Sequence, residues 1–334
     1  MTISENRRIR FVLRTKQSYE TKSYKTTNKD LPDYHGKVVL LTGGNSGIGY
    51  ATIQILARHG AKVYMATRNE SRANEAIQKI KSEGIGAGSV EWLQLDLSDP
   101  RSAARAVQTF LVKEQRLDLL INNAAVGAGP FKLTSDGLLD IMVTNHISHV
   151  ILTNGLLPLL KQTAAEPRSD VRIIALSSAA HSFVDPNSFA TRESLNKDYG
   201  NSLKGALNTY GYSKLACMLY FKALQKRFDA DGTRITCVSV HPGAIRTPGG
   251  ESVFAGTPVV GMLFAKVIMP VMFGSWKDGA LPVLYAAAGP REKFKDAAYV
   301  TPKGVEAPSK AAVNARLSEE VYETTERVVK ELNL

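Results

Sequence analysis

The stretch Val38-Val39-Leu40-Leu41-Thr42-Gly43-Gly44-Asn45-Ser46-Gly47-Ile48-Gly49 decides the fold. An apolar run leads straight into a glycine-rich turn, and a helical pattern follows. Such a turn between a strand and a helix lets backbone N–H groups approach a pyrophosphate at the positive end of the helix. It predicts a dinucleotide site.

Downstream, apolar runs and helical patterns alternate. Strand-like runs fall at Lys37–Thr42, Lys62–Ala66, Val90–Leu95, Leu117–Ile121, Val171–Ser177 and Arg234–Val240, with a short seventh at Ala298–Thr301. This is the signature of an α/β, Rossmann-type, doubly wound parallel sheet of about seven strands. The reading divides the chain into a basic extension over 1–32, one catalytic domain over 33–308 and a charged C-terminal helix over 309–334. Two segments interrupt the alternation, Ser182–Leu207 and the apolar Pro248–Trp276. Open α/β sheets bind ligands beyond the carboxyl ends of their strands, so both segments are candidates for the substrate pocket and the second for an apolar lid. Its Thr257–Phe273 core is shorter than the roughly 20 residues of a membrane span and holds Pro258, Lys266 and Pro270.

The 334 residues carry a net charge of +11, and Met1–Asp30 holds eight basic against three acidic side chains. A solvated extension is the expected reading of that arm, with attraction to an anionic membrane surface as the second. No nucleic-acid role is expected. No apolar run follows the first basic residues, which points away from a secretory signal, and Cys217 and Cys237 sit in apolar periodic stretches as buried free thiols would. The expected location is intracellular, either cytoplasmic or peripherally membrane-associated. No histidine cluster or carboxylate pair suggests a metal.

The second informative segment is Tyr210-Gly211-Tyr212-Ser213-Lys214, at the head of an apolar helical stretch. Residues at i and i+4 share a helix face, so the Lys214 ammonium would stabilise negative charge on the Tyr210 phenol. That predicts a proton donor. Tyr212 points to another face and reads as a core or surface residue.

Together the two segments resemble the short-chain dehydrogenase/reductase family, and the resemblance runs from about Tyr34 to the C-terminal helix. Val63–Asn69, Thr144–Val150, Tyr210–Tyr220 and Gly279–Pro290 look closest to its retinol dehydrogenase-like branch. The resemblance implies that Gly43, Asn45, Ser46, Gly47, Ile48 and Gly49 line the phosphate turn. It further implies that Asp96 and Leu97 border adenine, and that Asn123 and Ala124 stand beside the cofactor. Pro242, Gly243, Ile245 and Thr247 would pass the nicotinamide, and Lys214 would hold its ribose beside Tyr210. The implied catalytic set is Asn145, Ser178, Tyr210 and Lys214. In it Ser178 bonds the substrate oxygen, with Ser177 as fallback, and Asn145 distorts its helix and holds a water that links Lys214 to solvent. His181 is either a substrate contact or a loop residue.

An NAD site usually has an acid at the end of the second strand, whereas here Arg68 would pair with a 2′-phosphate. The expected cofactor is NADP(H). The expected activity is reduction of a bulky lipophilic aldehyde or ketone, or the reverse alcohol oxidation. A non-redox dehydratase or cyclase on the same scaffold and a non-catalytic NADP-binding regulator are the alternatives. The oligomeric state is open.

Overall fold

The computed structural model describes residues 31–200, 202–243, 245 and 275–334. The basic arm up to Asp30, Thr247 and most of the expected lid lie outside these residues.

The elements follow in the order β1 (Val38–Thr42), α1 (Gly47–Arg58), β2 (Lys62–Thr67), α2 (Glu70–Ser82), β3 (Ser89–Gln94), α3 (Pro100–Lys113) and β4 (Leu119–Asn122). Next come α4 (Ser148–Ala165), β5 (Val171–Leu176), α5 (Leu203–Asp231), β6 (Ile235–Val240), α6 (Trp276–Ala288), β7 (Tyr299–Thr301), β8 (Gly304–Glu306) and α7 (Ala315–Glu331). The sheet order is β3-β2-β1-β4-β5-β6-β7-β8. The six expected long strands fall within two residues of their predicted bounds. A short eighth strand extends the expected sheet: the chain turns back at Pro302–Lys303, and Gly304, at φ 128°, opens β8, which pairs antiparallel with β7. Three residues are too few to show a period-2 pattern in the sequence.

Strand alternation sorts the core into two layers. Val38 and Leu40 face α3, α4, α5 and α7, whereas Val39 and Leu41 face α1, α2 and α6. A run apolar on both faces is what a central parallel strand requires. The predicted outer segments also shift. Leu31 and Tyr34 are already buried, and the Tyr34 hydroxyl donates to the Ala287 carbonyl at 3.1 Å, so the core begins before the expected boundary at 32/33. The C-terminal helix begins at Ala315, capped by the Asn314 side chain, and buries Leu317, Val321 and Val328 in the same core as α5. Among the described residues no helix is long and apolar enough to cross a membrane.

Candidate active site

The glycine turn closes β1 against α1 with no space for side chains. A Cβ on Gly44 would stand 2.2 Å from Ile53 Cδ1, and one on Gly49 would stand 2.4 Å from the Gly43 carbonyl oxygen. Gly43 and Gly47 also hold φ at 72° and 59°, where a side chain is strained. Ser46 caps α1 without any side-chain capping bond, so the first-turn N–H groups are open to an anion. Asn45 is half-buried and Ser46 exposed at the mouth of this turn, while Ile48 is buried behind it. This cradle fits a dinucleotide pyrophosphate.

Neighbouring strand ends complete the rim. Arg68 is exposed one residue beyond β2. Asp96 accepts from the Ser98 amide and hydroxyl at Oδ1, at 3.0 and 2.7 Å, and Leu97 is buried beneath it. The Asn123 side chain donates to the Thr42 and Gly43 carbonyls at 2.7 and 3.1 Å. Ala124 touches Gly43 so closely that a Cβ there would meet its own at 2.8 Å. On the far side Pro242 and Gly243 follow β6, and Ile245 packs with Ile48 against Gly279.

The second half of the site forms where β5, α5 and the segment before α4 meet. That segment is a π-helical turn, Val143–Ile147, with Asn145 at its centre. π-turns are rare and concentrate at functional sites. The Asn145 side chain grips the Val126 backbone twice, accepting from its amide at 2.8 Å and donating to its carbonyl at 3.1 Å. It also donates to Ser213 Oγ at 3.0 Å. Lys214 is buried, its ammonium 5.8 Å from the Tyr210 ring centre and donating to the Leu176 carbonyl at 2.7 Å. Two residues past Leu176, the half-buried Ser178 accepts from the Ala180 amide at 3.2 Å, which leaves its own O–H free to donate. Ser177 Oγ is buried with no partner.

Other expectations resolve as structure. Tyr212 is core, stacked on Phe189 at 4.7 Å and donating to the Ser194 carbonyl at 2.6 Å. His181 is buried, donating from Nδ1 to the Ser178 carbonyl at 2.7 Å and accepting from the Ser309 amide at 3.1 Å. The segment after Ser182, a pocket candidate, is bound down onto α7. Ser188 and the Phe189 amide donate to Glu320, Arg316 to the Asn187 carbonyl and Arg327 to the Ala190 carbonyl, all from α7 or onto it. Cys217 and Cys237 are buried free thiols, and burial pushes Cys217 up to about 11.

The short chain dehydrogenase family matches residues 37–189. A short-chain dehydrogenase/reductase of Armillaria gallica is 41% identical over 310 residues, covering 90% of this chain and 95% of its own. The chain belongs to the short-chain dehydrogenase/reductase family. A second member, from Colletotrichum higginsianum, is 37% identical over 91% of this chain and 77% of its own. The crystal structure of an uncharacterized protein of Mycobacterium paratuberculosis superposes with a TM-score of 0.68 at 29% identity, covering 91% of this chain and 97% of the other. This short-chain dehydrogenase/reductase is therefore an enzyme of an oxidoreductase family that interconverts carbonyl and alcohol groups with a nicotinamide cofactor.

Within the short-chain dehydrogenase/reductase site, Gly211 has a role invisible in the sequence. A Cβ there would stand 2.2 Å from the Ala180 carbonyl oxygen, so the absence of a side chain lets α5 lie directly on the Ser178 segment. Gly211→Ala is expected to push the two apart at a cost of about 1–3 kcal/mol. Thermal unfolding checks this, and an unchanged midpoint would show that the contact yields freely.

Proposed function

We propose that the protein reduces the carbonyl of a bulky lipophilic aldehyde or ketone with NADPH, or oxidises the corresponding alcohol, with Tyr210 as the proton donor. One observation carries this reading. The buried Lys214 ammonium, tethered to the Leu176 carbonyl, faces the Tyr210 ring from the same side of α5.

The glycine turn, Asn123 and Ala124, and the segment from Pro242 to Ile245 would hold the cofactor, with Thr247 also assigned there by resemblance. A bound nicotinamide supplies hydride to the carbonyl carbon. The protein then has to place a proton on oxygen. Tyr210 gives its phenolic proton to that oxygen, and Ser178 donates a second hydrogen bond to it. Lys214 stabilises the phenolate that remains. Asn145 holds the Val126 segment and Ser213 in place around this face.

Arg68 supports NADP(H). It stands one residue past β2, where an NAD site would present an acid, and its exposure leaves the guanidinium free to meet a 2′-phosphate. Arg68→Asp is expected to move the ratio of NADPH to NADH affinities by more than about tenfold. Titrations of cofactor fluorescence would check it, and an unaltered ratio would place the arginine away from the ribose.

The lipophilic substrate is favoured by the rim. Val126, Leu133, Phe183 and Leu203 are 44%, 45%, 38% and 56% exposed, on the segments that follow β4 and β5 and open α5. Exposed apolar side chains on segments beyond the carboxyl ends of the strands suit an apolar ligand. A panel of aldehydes and ketones of graded chain length, followed by NADPH absorbance, tests the reading. Turnover should rise with apolar bulk, and a preference for short polar carbonyls would overturn it.

A further inference from the structure

We propose that His149 is a positioning residue that locks the glycine turn to the Asn145 turn. The inference rests on the reading above for the role of Asn145. Its basis is a count of protons. Thr42 Oγ1 accepts from the Asn123 and Ala124 amides, each at 3.0 Å, which fills both lone pairs. Its single hydroxyl proton is then directed at His149 Nε2, 2.9 Å away. That nitrogen must be an acceptor, so the ring proton sits on Nδ1, from which it reaches the Asn145 carbonyl at 3.2 Å. Burial lowers His149 to about 3, outweighing the upward pull of the bond to the Asn145 carbonyl, and the nearby Lys214 charge adds to the lowering, so the ring stays neutral.

The result is an unbroken chain, part-buried at Asn123–Ala124 and fully buried from Thr42 onward. It runs from the Asn123–Ala124 backbone through Thr42 and His149 to the carbonyl at the centre of the π-turn, where Cys217 Sγ also donates at 3.0 Å. The Thr42 end lies directly behind Gly43, whose carbonyl the Asn123 side chain holds. The Asn145 end controls the Val126 amide. One ring therefore anchors both turns, its Nε2 steadying Thr42 and its Nδ1 the Asn145 carbonyl.

Two substitutions separate the two ends. An asparagine amide occupies the place of imidazole Nδ1, and a glutamine amide that of Nε2. His149→Gln keeps an acceptor for Thr42 and gives up the Asn145 carbonyl, whereas His149→Asn does the reverse. In the full chain, NADPH and NADH affinities read the glycine turn and hydrogen exchange of the Val126 amide reads the Asn145 turn.

His149→Gln should keep cofactor affinity within about threefold and speed Val126 exchange by about tenfold or more. His149→Asn should weaken cofactor binding by about tenfold and leave Val126 protected. Nitrogen NMR of labelled histidine should show the Nδ1-protonated neutral ring in the parent at pH 7. A residue that only fills space would lower the unfolding midpoint in both variants without this crossed pattern. That result, or an Nε2-protonated ring, would overturn the proposal. Neither readout needs turnover, so failure here is distinct from failure of Tyr210 as the acid.

Discussion

Tyr210→Phe is expected to lower carbonyl turnover by about 10² to 10⁴, the usual worth of a positioned general acid, while NADPH affinity stays within a few-fold. The substitution removes one oxygen from a half-buried ring and leaves α5, the Lys214 tether and the glycine turn untouched. Lys214 keeps its bond to the Leu176 carbonyl in such a variant, so the loss would belong to the phenolic proton alone. Steady-state kinetics beside cofactor titration separate the two effects. Activity within a few-fold of the parent would move the acid elsewhere, and a parallel collapse of cofactor binding would make Tyr210 a binding residue.

The second large effect is loss of stability in mild acid. Burial lowers His146 to about 3, His149 to about 3 and His241 to about 4, and it lowers His181 as well. Histidines released by unfolding titrate near the ordinary value of 6.5. The unfolded chain thus binds more protons than the folded one at every pH between these limits. Stability is complete above the unfolded value and is lost as pH falls below it. Well below the unfolded value each such group costs at most about 1.4 kcal/mol per pH unit, so His146, His149 and His241 together remove about 4 kcal/mol per unit against a typical total of about 5–15. Carboxylates with lowered values, such as Asp118, lose their contribution only near and below about pH 4, so the windows separate. Urea unfolding at several pH values checks this. A midpoint that is flat between about pH 6.5 and 5 would show that the histidines are protonated in the folded chain.

The sheet and much of the candidate site were legible because their signals are local. The glycine turn, the Tyr210–Lys214 spacing and the six long strands each fit within a dozen residues. What escaped depends on partners far along the chain. His149 meets Thr42 across 107 positions, and His146 meets Thr325 across 179 at 2.9 Å. Nothing near Gly211 announces its contact with Ala180. The anchoring of the segment after Ser182 could not be read locally because its restraints, Glu320, Arg316 and Arg327, lie more than a hundred residues downstream. One trace was available: Asn145 and His149 stand four apart in Thr144–Val150, close enough on one face for the ring to reach the carbonyl.

The proposed reaction is hydride transfer to a carbonyl with a proton from the protein. NADPH carrying deuterium at both positions of the nicotinamide C4, incubated with the enzyme and a long-chain aldehyde such as decanal, tests that transfer. The expected result is one deuterium on the carbinol carbon of the product alcohol, one cofactor oxidised per alcohol formed, and neither event in Tyr210→Phe above about a hundredth of the parent rate. Product formed without cofactor oxidation, or an alcohol carrying no deuterium, would contradict it.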